Sequence, residues 1–265
     1  PFEKPLLNLL RRRFFKLFDA LCVREDKSAS MLGDLLGREI EVTADSALQR
    51  SIPAMDRDRF FTGDRRPLAD KFLVSLTAIR HNFQGVVDAA DRQARYEEVL
   101  LEAIAHLQTR RDCHFLLLPQ LYGAAKSDVP YHRELAARFP AGTSWQLVDP
   151  DLHSDAQRSI VGMCDLSIAC RYHPQIFASS GATPGICIYY EHKAFSHVQA
   201  LGLDAQAFDI FDIGETRHVL AALDRAVDDG EALSAQIRER LPALVERARR
   251  TTDLACSLVA AGPRA

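Results

Sequence analysis

Four nitrogen-bearing side chains fall within one short stretch of the chain, at a spacing suited to binding a ligand. The run DLSIACRYHPQIFASSGATPGICIYYEHK, residues 165–193, reads as strand, turn, helix, turn, strand, turn. Arg171 and His173 follow its first strand, and His192 and Lys193 follow its second. In an open parallel sheet these turns share the carboxyl edge, where ligands bind. Arg is a rigid bidentate partner for carboxylate or phosphate, Lys is a point charge, and His titrates near neutrality. Together they suit a small, doubly charged anion. Each has a plainer role as well. Arg171 could pair with a carboxylate such as Asp165, His173 could cap the helix that Pro174 opens, and Lys193 could be a solvated helix start. Their concentration just beyond buried strands favours the ligand site.

Other strands deliver residues to the same edge. The strand at 72–76 leads to Arg80 and His81, the strand at 114–118 to Pro119, Gln120 and Tyr122, and the strand at 185–189 to Tyr190 and Glu191. His114, His132 and His153 are scattered without metal spacing, and no H-E-x-x-H, C-x-x-C, P-loop or G-x-S-x-G pattern occurs. No metal and no cofactor is expected.

The elements that must position these residues alternate regularly. Strands are predicted at 72–76, 114–118, 145–148, 166–169, 185–189 and 208–211. Helices are predicted at 88–108, 129–139, 154–163, 174–180, 195–201, 216–228 and 231–261, with Ser154 as an N-cap and a break or kink at Pro242. This is the pattern of a doubly wound, Rossmann-like α/β domain. Ahead of it lie a helix over 6–20, a strand at 21–23, a helix over 27–36 bounded by Ser28 and Gly37, and a strand at 39–43. Three regions are expected: residues 1–50 as the tail of a first α/β domain whose start is absent, since the chain opens on Pro1; residues 51–70, dense in charge and punctuated by Pro53, Gly63 and Pro67, as a linker; and residues 71–265 as the second domain with its C-terminal helices.

Bulk properties exclude several classes. The net charge of −3 gives no general electrostatic case for nucleic acid. No apolar run approaches the ~20 residues that span a bilayer. The six cysteines form no C-x-x-C pair and read as small buried hydrophobes in a reducing cytosol. Arg11-Arg12-Arg13 among leucines and phenylalanines has two readings, a peripheral membrane-surface helix or the solvated face of a packed helix, and the second is preferred.

The run D-L-S-I-A-C-R-Y-H-P-Q-I-F-A…G-A-T-P-G-I-C-I-Y-Y-E-H-K…L-G-L resembles the polysaccharide pyruvyl transferase family. The family pattern of Arg-x-His, a Gly-x-Pro turn and Tyr-x-x-Lys is matched by Arg171 and His173, by Gly181 with Pro184 one residue late, and by Tyr190 with Lys193. F-D-A-L-C-V-R-E-D-K-S…E-V-T-A-D-S-A is similar to the family's V-R-D-x-x-S segment and later aspartate, giving Arg24, Ser28 and Asp45, with Glu25 where the family has Asp. F-L-V-S-L-T-A-I-R resembles the start of its second domain, with Arg80 as the arginine.

The resemblance implies a GT-B-like pair of Rossmann-like domains. It also implies transfer of a pyruvyl group from phosphoenolpyruvate to a sugar or lipid-linked oligosaccharide, forming a ketal. His173, Arg171 and Lys193 would be catalytic, and Arg80, Arg24, Gln120, Tyr190 and His192 would bind substrate. The expected location is the cytoplasm, with peripheral association at the inner face of the membrane as the alternative. Two rivals remain: a nucleotide-sugar glycosyltransferase or epimerase on the same scaffold, with Glu191 as its ribose-binding acid, and a non-catalytic relative.

Overall fold

The computed structural model describes residues 5–121, 127–148 and 151–261, so Tyr122 lies outside the described residues. The chain divides into two compact units, Pro1–Ser51 with Arg240–Ala265, and Ile52–Glu239.

In the smaller unit, helix α1 (Pro5–Phe15) precedes strand β1 (Cys22–Val23), helix α2 (Asp26–Leu36) and strand β2 (Glu41–Val42). β1 and β2 pair in parallel. Helix α2 ends where the sequence suggests, with Gly37 in the left-handed region at φ 68°. Its N-cap is Glu25 rather than Ser28, whose hydroxyl bonds back to the Glu25 carboxylate.

The larger unit opens with a short helix, α3 (Arg57–Phe60), and a 3₁₀ segment over Gly63–Asp70. Next come β3 (Phe72–Thr77), α4 (Ala89–Arg110), β4 (Cys113–Leu117), α5 (Val129–Ala136) and β5 (Ser144–Leu147). Then follow α6 (Ser154–Gly162), β6 (Leu166–Ala169), α7 (Tyr172–Ser180), β7 (Gly185–Tyr189) and α8 (His192–Ala200). β8 (Ala207–Asp209), α9 (Thr216–Asp228) and α10 (Gly230–Ala261) complete it, α10 continuing into the smaller unit's span. The N-cap of α6 is His153, whose Nδ1 accepts from the Asp155 amide at 3.2 Å, rather than Ser154. α10 runs unbroken through Pro242.

Strands β3–β8 form one parallel sheet in the order β5-β4-β3-β6-β7-β8. The chain starts at β3, winds out to β5, then returns across β3 to β6. The direction of winding therefore reverses between β3 and β6, and the crevice outside their carboxyl ends is the place for a ligand.

Both faces of the sheet are covered, which is why β4 is buried along its whole length. One face takes Val99, Leu100, Ala103, Ile104 and Leu107 of α4 and Val219, Ala222 and Leu223 of α9. The other takes Ile160 and Val161 of α6 and Phe177 of α7.

Glycine matters at two close approaches. A Cβ on Gly185 would lie 1.9 Å from the Ser167 carbonyl oxygen of the neighbouring strand. A Cβ on Gly181 would lie 2.6 Å from Gly162 Cα, where α6 and α7 meet. The sequence suggests Gly181 for its turn, but it has an ordinary negative φ, and Ala182 takes the positive one at 53°.

Two expected boundaries shift. Residues from 52 onward belong to the larger unit rather than to a linker. Phe61 is fully buried against Leu73 and Leu116 of the sheet, and its ring meets His114 edge-on at 5.7 Å. Arg57 donates to Met163 O and to Asp165 Oδ1 at 2.8 Å, while Asp165 Oδ2 accepts the Leu73 amide. One of the segment's charges, Arg57, thus anchors it through an ion pair, which composition alone does not separate from the exposed charges around it. At the other end, residues from Arg240 group with the N-terminal segment rather than with the second domain. There Gln49 Nε2 donates to Ala248 O at 2.9 Å and Arg250 pairs with Glu41.

Two outcomes follow from this packing. Phe61→Ala should lower unfolding free energy by about 3–5 kcal/mol, the usual loss for a buried aromatic; a surface-like effect in chemical denaturation would restore the linker assignment. His114 is buried, and desolvation pushes its pKa from 6.5 down to about 4, offset only in part by Gln146. The folded chain therefore takes up that proton less readily than the unfolded chain. Stability should fall as pH drops from 6.5 towards about 4, by up to about 1.4 kcal/mol per pH unit from this residue. Thermal unfolding of His114→Gln across that window should show a shallower slope than wild type.

Candidate functional site

The backbone leaving β3 is fixed by side chains. The Ala78 amide donates to His132 Nε2 at 3.2 Å, the Ile79 amide to the Tyr96 hydroxyl at 3.2 Å, and the His81 amide to Gln93 Oε1 at 3.0 Å. The Phe83 amide then donates to His81 Nδ1 at 3.1 Å. Phe83 itself sits at φ 41°, a costly conformation for a bulky residue, with its ring buried. His132 is fully buried and its other nitrogen, Nδ1, faces the Asp128 carbonyl at 2.9 Å. Burial lowers its pKa, with the Arg171 charge acting in the same direction and Asp128 opposing. The imidazole is thus a neutral strut between β3 and the start of α5.

Between these turns opens a cleft of about 1410 Å³, its open mouth included, whose walls carry Arg80, His81, Asp128, Tyr131, Arg171 and Tyr190. Arg171, the N-cap of α7, forms a bidentate pair with Asp128: Nε donates to Oδ2 at 3.1 Å and Nη2 to Oδ1 at 2.8 Å. Asp128 Oδ2 also accepts the amides of Gln120 at 3.1 Å and Leu121 at 3.0 Å. Arg171 is therefore anchored by a carboxylate, though by Asp128 and not by Asp165, which holds Arg57. Its Nε–Nη2 edge is occupied, so the Nη1–Nη2 edge is what remains for a ligand. Asp128 lies 43 residues before Arg171, in a loop that no sequence motif singles out.

The other expected cations also have carboxylate partners. Arg80 is exposed, pairs with Glu134, and stacks 5.1 Å over the Tyr131 ring. Lys193 pairs with Glu191 and lies 5.7 Å from the Tyr172 ring. That pair also engages the acid that a ribose-binding role would need. His173 is the second residue of α7 rather than its cap, and is exposed. His173, His192, Lys193 and Gln120 are not among the residues lining the cleft, whereas Arg80, Arg171 and Tyr190 are. Gln120 Nε2 is bonded to Gln157 Oε1 at 2.8 Å. Arg24 lies in the smaller unit, where its Nη1 donates to Asp45 at 2.7 Å, so the two residues matched together in sequence do meet.

His81 brings an imidazole to the cleft. Its pKa is lowered chiefly by burial; Glu191 raises it and Arg171 lowers it. It falls at this edge in the sequence without belonging to any motif. Its signal was position, one residue beyond Arg80. Among the described residues, no group of three or more His, Cys, Asp or Glu side chains is arranged to hold a metal, and no helix is long and apolar enough to cross a membrane.

Several solved GT-B enzymes share this architecture. Sucrose-phosphate synthase from Thermosynechococcus elongatus matches with a TM-score of 0.62 at 16% identity, over 98% of this chain and 63% of that one. α,α-Trehalose 6-phosphate synthase from Burkholderia multivorans matches at 0.58 and 16%, over 100% and 66%. Anabaena HepE in complex with UDP and glucose matches at 0.58 and 15%, over 96% and 68%. At such identities the likeness is one of fold, and it bears out the Rossmann-like, GT-B-like α/β expectation. The chain spans about two thirds of the first two enzymes. A 74-residue stretch is 30% identical to the amylovoran biosynthesis protein AmsJ of Erwinia amylovora, covering 28% of this chain and 18% of that protein. The profile of the family described as polysaccharide pyruvyl transferase matches residues 1–192, taking in Arg24, Arg80, Arg171 and His173 and ending one residue before Lys193. The chain belongs to the polysaccharide pyruvyl transferase family.

Proposed function

We propose that this chain carries the donor side of a phosphoenolpyruvate-dependent pyruvyl transferase acting on a sugar of a polysaccharide or glycolipid precursor. One observation carries this proposal: the family match and the reversal of sheet winding meet at the same turn, where Arg171 leaves β6. Phosphoenolpyruvate offers a phosphate and a carboxylate close together. Arg171, held rigid by Asp128, can present its Nη1–Nη2 edge to one of them with little loss of side-chain freedom. Arg80 and Glu134 form an exposed pair, of a kind worth about 0–1 kcal/mol, so a phosphate can displace the carboxylate at small cost. Lys193 supplies a further positive charge, and Arg24, Gln120, Tyr190 and His192 remain the proposed substrate contacts.

The chemistry needs no redox step. A proton adds to the methylene carbon, one sugar hydroxyl adds to the central carbon and gives up its own proton, and phosphate then leaves with its bridging oxygen. A second hydroxyl then closes the ketal and gives up its proton. In this scheme His173 delivers the proton, and the cationic groups stabilise charge on the departing phosphate. No cofactor enters it.

Incubating the protein with phosphoenolpyruvate and candidate acceptor sugars, and separately with UDP-sugars, should release phosphate only in the first case. Consumption of a UDP-sugar instead would replace this function with glycosyl transfer. His173→Ala should lower phosphate release at least ~100-fold, the lower end of general-acid effects, with phosphoenolpyruvate binding largely kept. Wild-type turnover in that variant would sink its role. Arg171→Ala should do two things at once: weaken phosphoenolpyruvate binding, and lose about 3–5 kcal/mol of stability because Asp128 keeps a buried charge without its partner. Denaturation of Arg171→Ala beside the double variant with Asp128→Asn separates them, since the second change removes the stranded charge, keeps an oxygen for the Gln120 and Leu121 amides, and should restore stability but not binding.

A further inference from the structure

We infer that His81 is a fixed, neutral hydrogen-bond donor that contacts an anionic oxygen of the ligand held in the β3/β6 cleft, rather than a proton shuttle or a structural ring. The inference rests on the proposed binding of phosphoenolpyruvate there, and adds a ligand contact that the sequence motif does not contain.

Three observations point to it. First, the ring's orientation is set from both sides of its own backbone. The His81 amide is tied to Gln93 Oε1, and the Phe83 amide donates to His81 Nδ1 at 3.1 Å. Nδ1 is therefore the acceptor nitrogen, and in the neutral ring the proton must sit on Nε2. Second, the ring is wedged among aromatic groups, with Phe83 at 4.6 Å, Phe211 at 5.2 Å and Tyr190 at 5.3 Å between centroids. Phe83 adopts its positive φ of 41° at the step that brings its amide onto the imidazole. Strain of this kind persists where the surroundings over-determine it, often at a ligand site. Third, no described residue accepts a hydrogen bond from Nε2, although His81 lines the cleft beside Arg80 and Arg171.

A ring with one nitrogen capped by a backbone amide and the other carrying an oriented N–H presents one donor at a fixed place. In a cleft that also carries two arginines, that donor matches an anion's oxygen. A carbonyl or hydroxyl of a neutral ligand would leave the arginines unused.

The two amide residues test the two nitrogens separately. His81→Asn keeps an acceptor near the Nδ1 position, and so the Phe83 amide bond, but has no donor near Nε2. His81→Gln places its amide nitrogen near Nε2 and loses the Nδ1 acceptor. Phosphoenolpyruvate and inorganic phosphate are each titrated into wild type and both variants by calorimetry, with thermal unfolding measured alongside.

The ligand contact requires His81→Asn to fold as wild type yet bind about 10–100-fold more weakly, and His81→Gln to recover part of the affinity. If Asn binds as wild type, or Asn rescues and Gln does not, His81 is structural and the inference falls while phosphoenolpyruvate binding stands. If wild type binds phosphate with the expected Asn and Gln pattern but fails to bind phosphoenolpyruvate, the donor assignment falls and His81 keeps its role. If wild type binds neither anion, both fall.

Discussion

The bidentate pair between Arg171 and Asp128 is the interaction on which the site's geometry depends. It joins the turn after β6 to the segment that starts α5, and through the amides of Gln120 and Leu121 it also gathers the turn after β4. Four hydrogen bonds converge on one buried carboxylate, so its charge is matched and its lone pairs are used. Through its carbonyl, Asp128 further holds His132, which in turn holds the Ala78 amide at the end of β3. Three strand ends are thus fixed relative to one another by a single residue and its neighbours.

Such an arrangement changes what a row of basic residues means. A list of arginines and lysines at a sheet edge suggests a strongly positive crevice. In the folded chain each is balanced: Arg171 by Asp128, Arg80 by Glu134, Lys193 by Glu191. The pairs differ in how tightly they are committed. Arg171 and Asp128 are largely withdrawn from solvent, whereas Arg80 and Glu134 are both more than half exposed. Screening by water makes the second pair cheap to exchange, while the first serves as a mount. A cleft built this way holds its cations in place before a ligand arrives and avoids bringing unpaired like charges together.

The cysteines illustrate the opposite outcome, residues whose chemistry is suppressed by position. Cys113, Cys164, Cys170 and Cys187 are buried, and burial pushes all four thiols up, Cys113 and Cys170 to about 12. A thiol held that far above neutrality offers almost no thiolate, so these four act as small apolar side chains. That agrees with the sequence, where most of them fall in or beside apolar runs.

Periodicity alone determined the parallel α/β frame. Strands 166–169 and 185–189 and helix 216–228 fall where the alternation places them, because a strand covered on both faces must be a continuous apolar run and a covering helix must carry an apolar stripe. The same pattern put Arg80, His81, Gln120, Arg171 and Tyr190 at one edge, since side chains after parallel strands can go nowhere else. What needed the tertiary structure was every relation between residues far apart in the chain. Asp128 becomes the partner of Arg171 across 43 positions, Phe61 turns a charged, irregular segment into part of the sheet's cover, and residues beyond Arg240 join the first fifty. His81 becomes a ligand candidate only once Phe83 is seen to cap its Nδ1. Local sequence encodes the period of burial, but pairing of charges and orientation of a ring depend on which surfaces the fold brings into contact, and no local pattern carries that information.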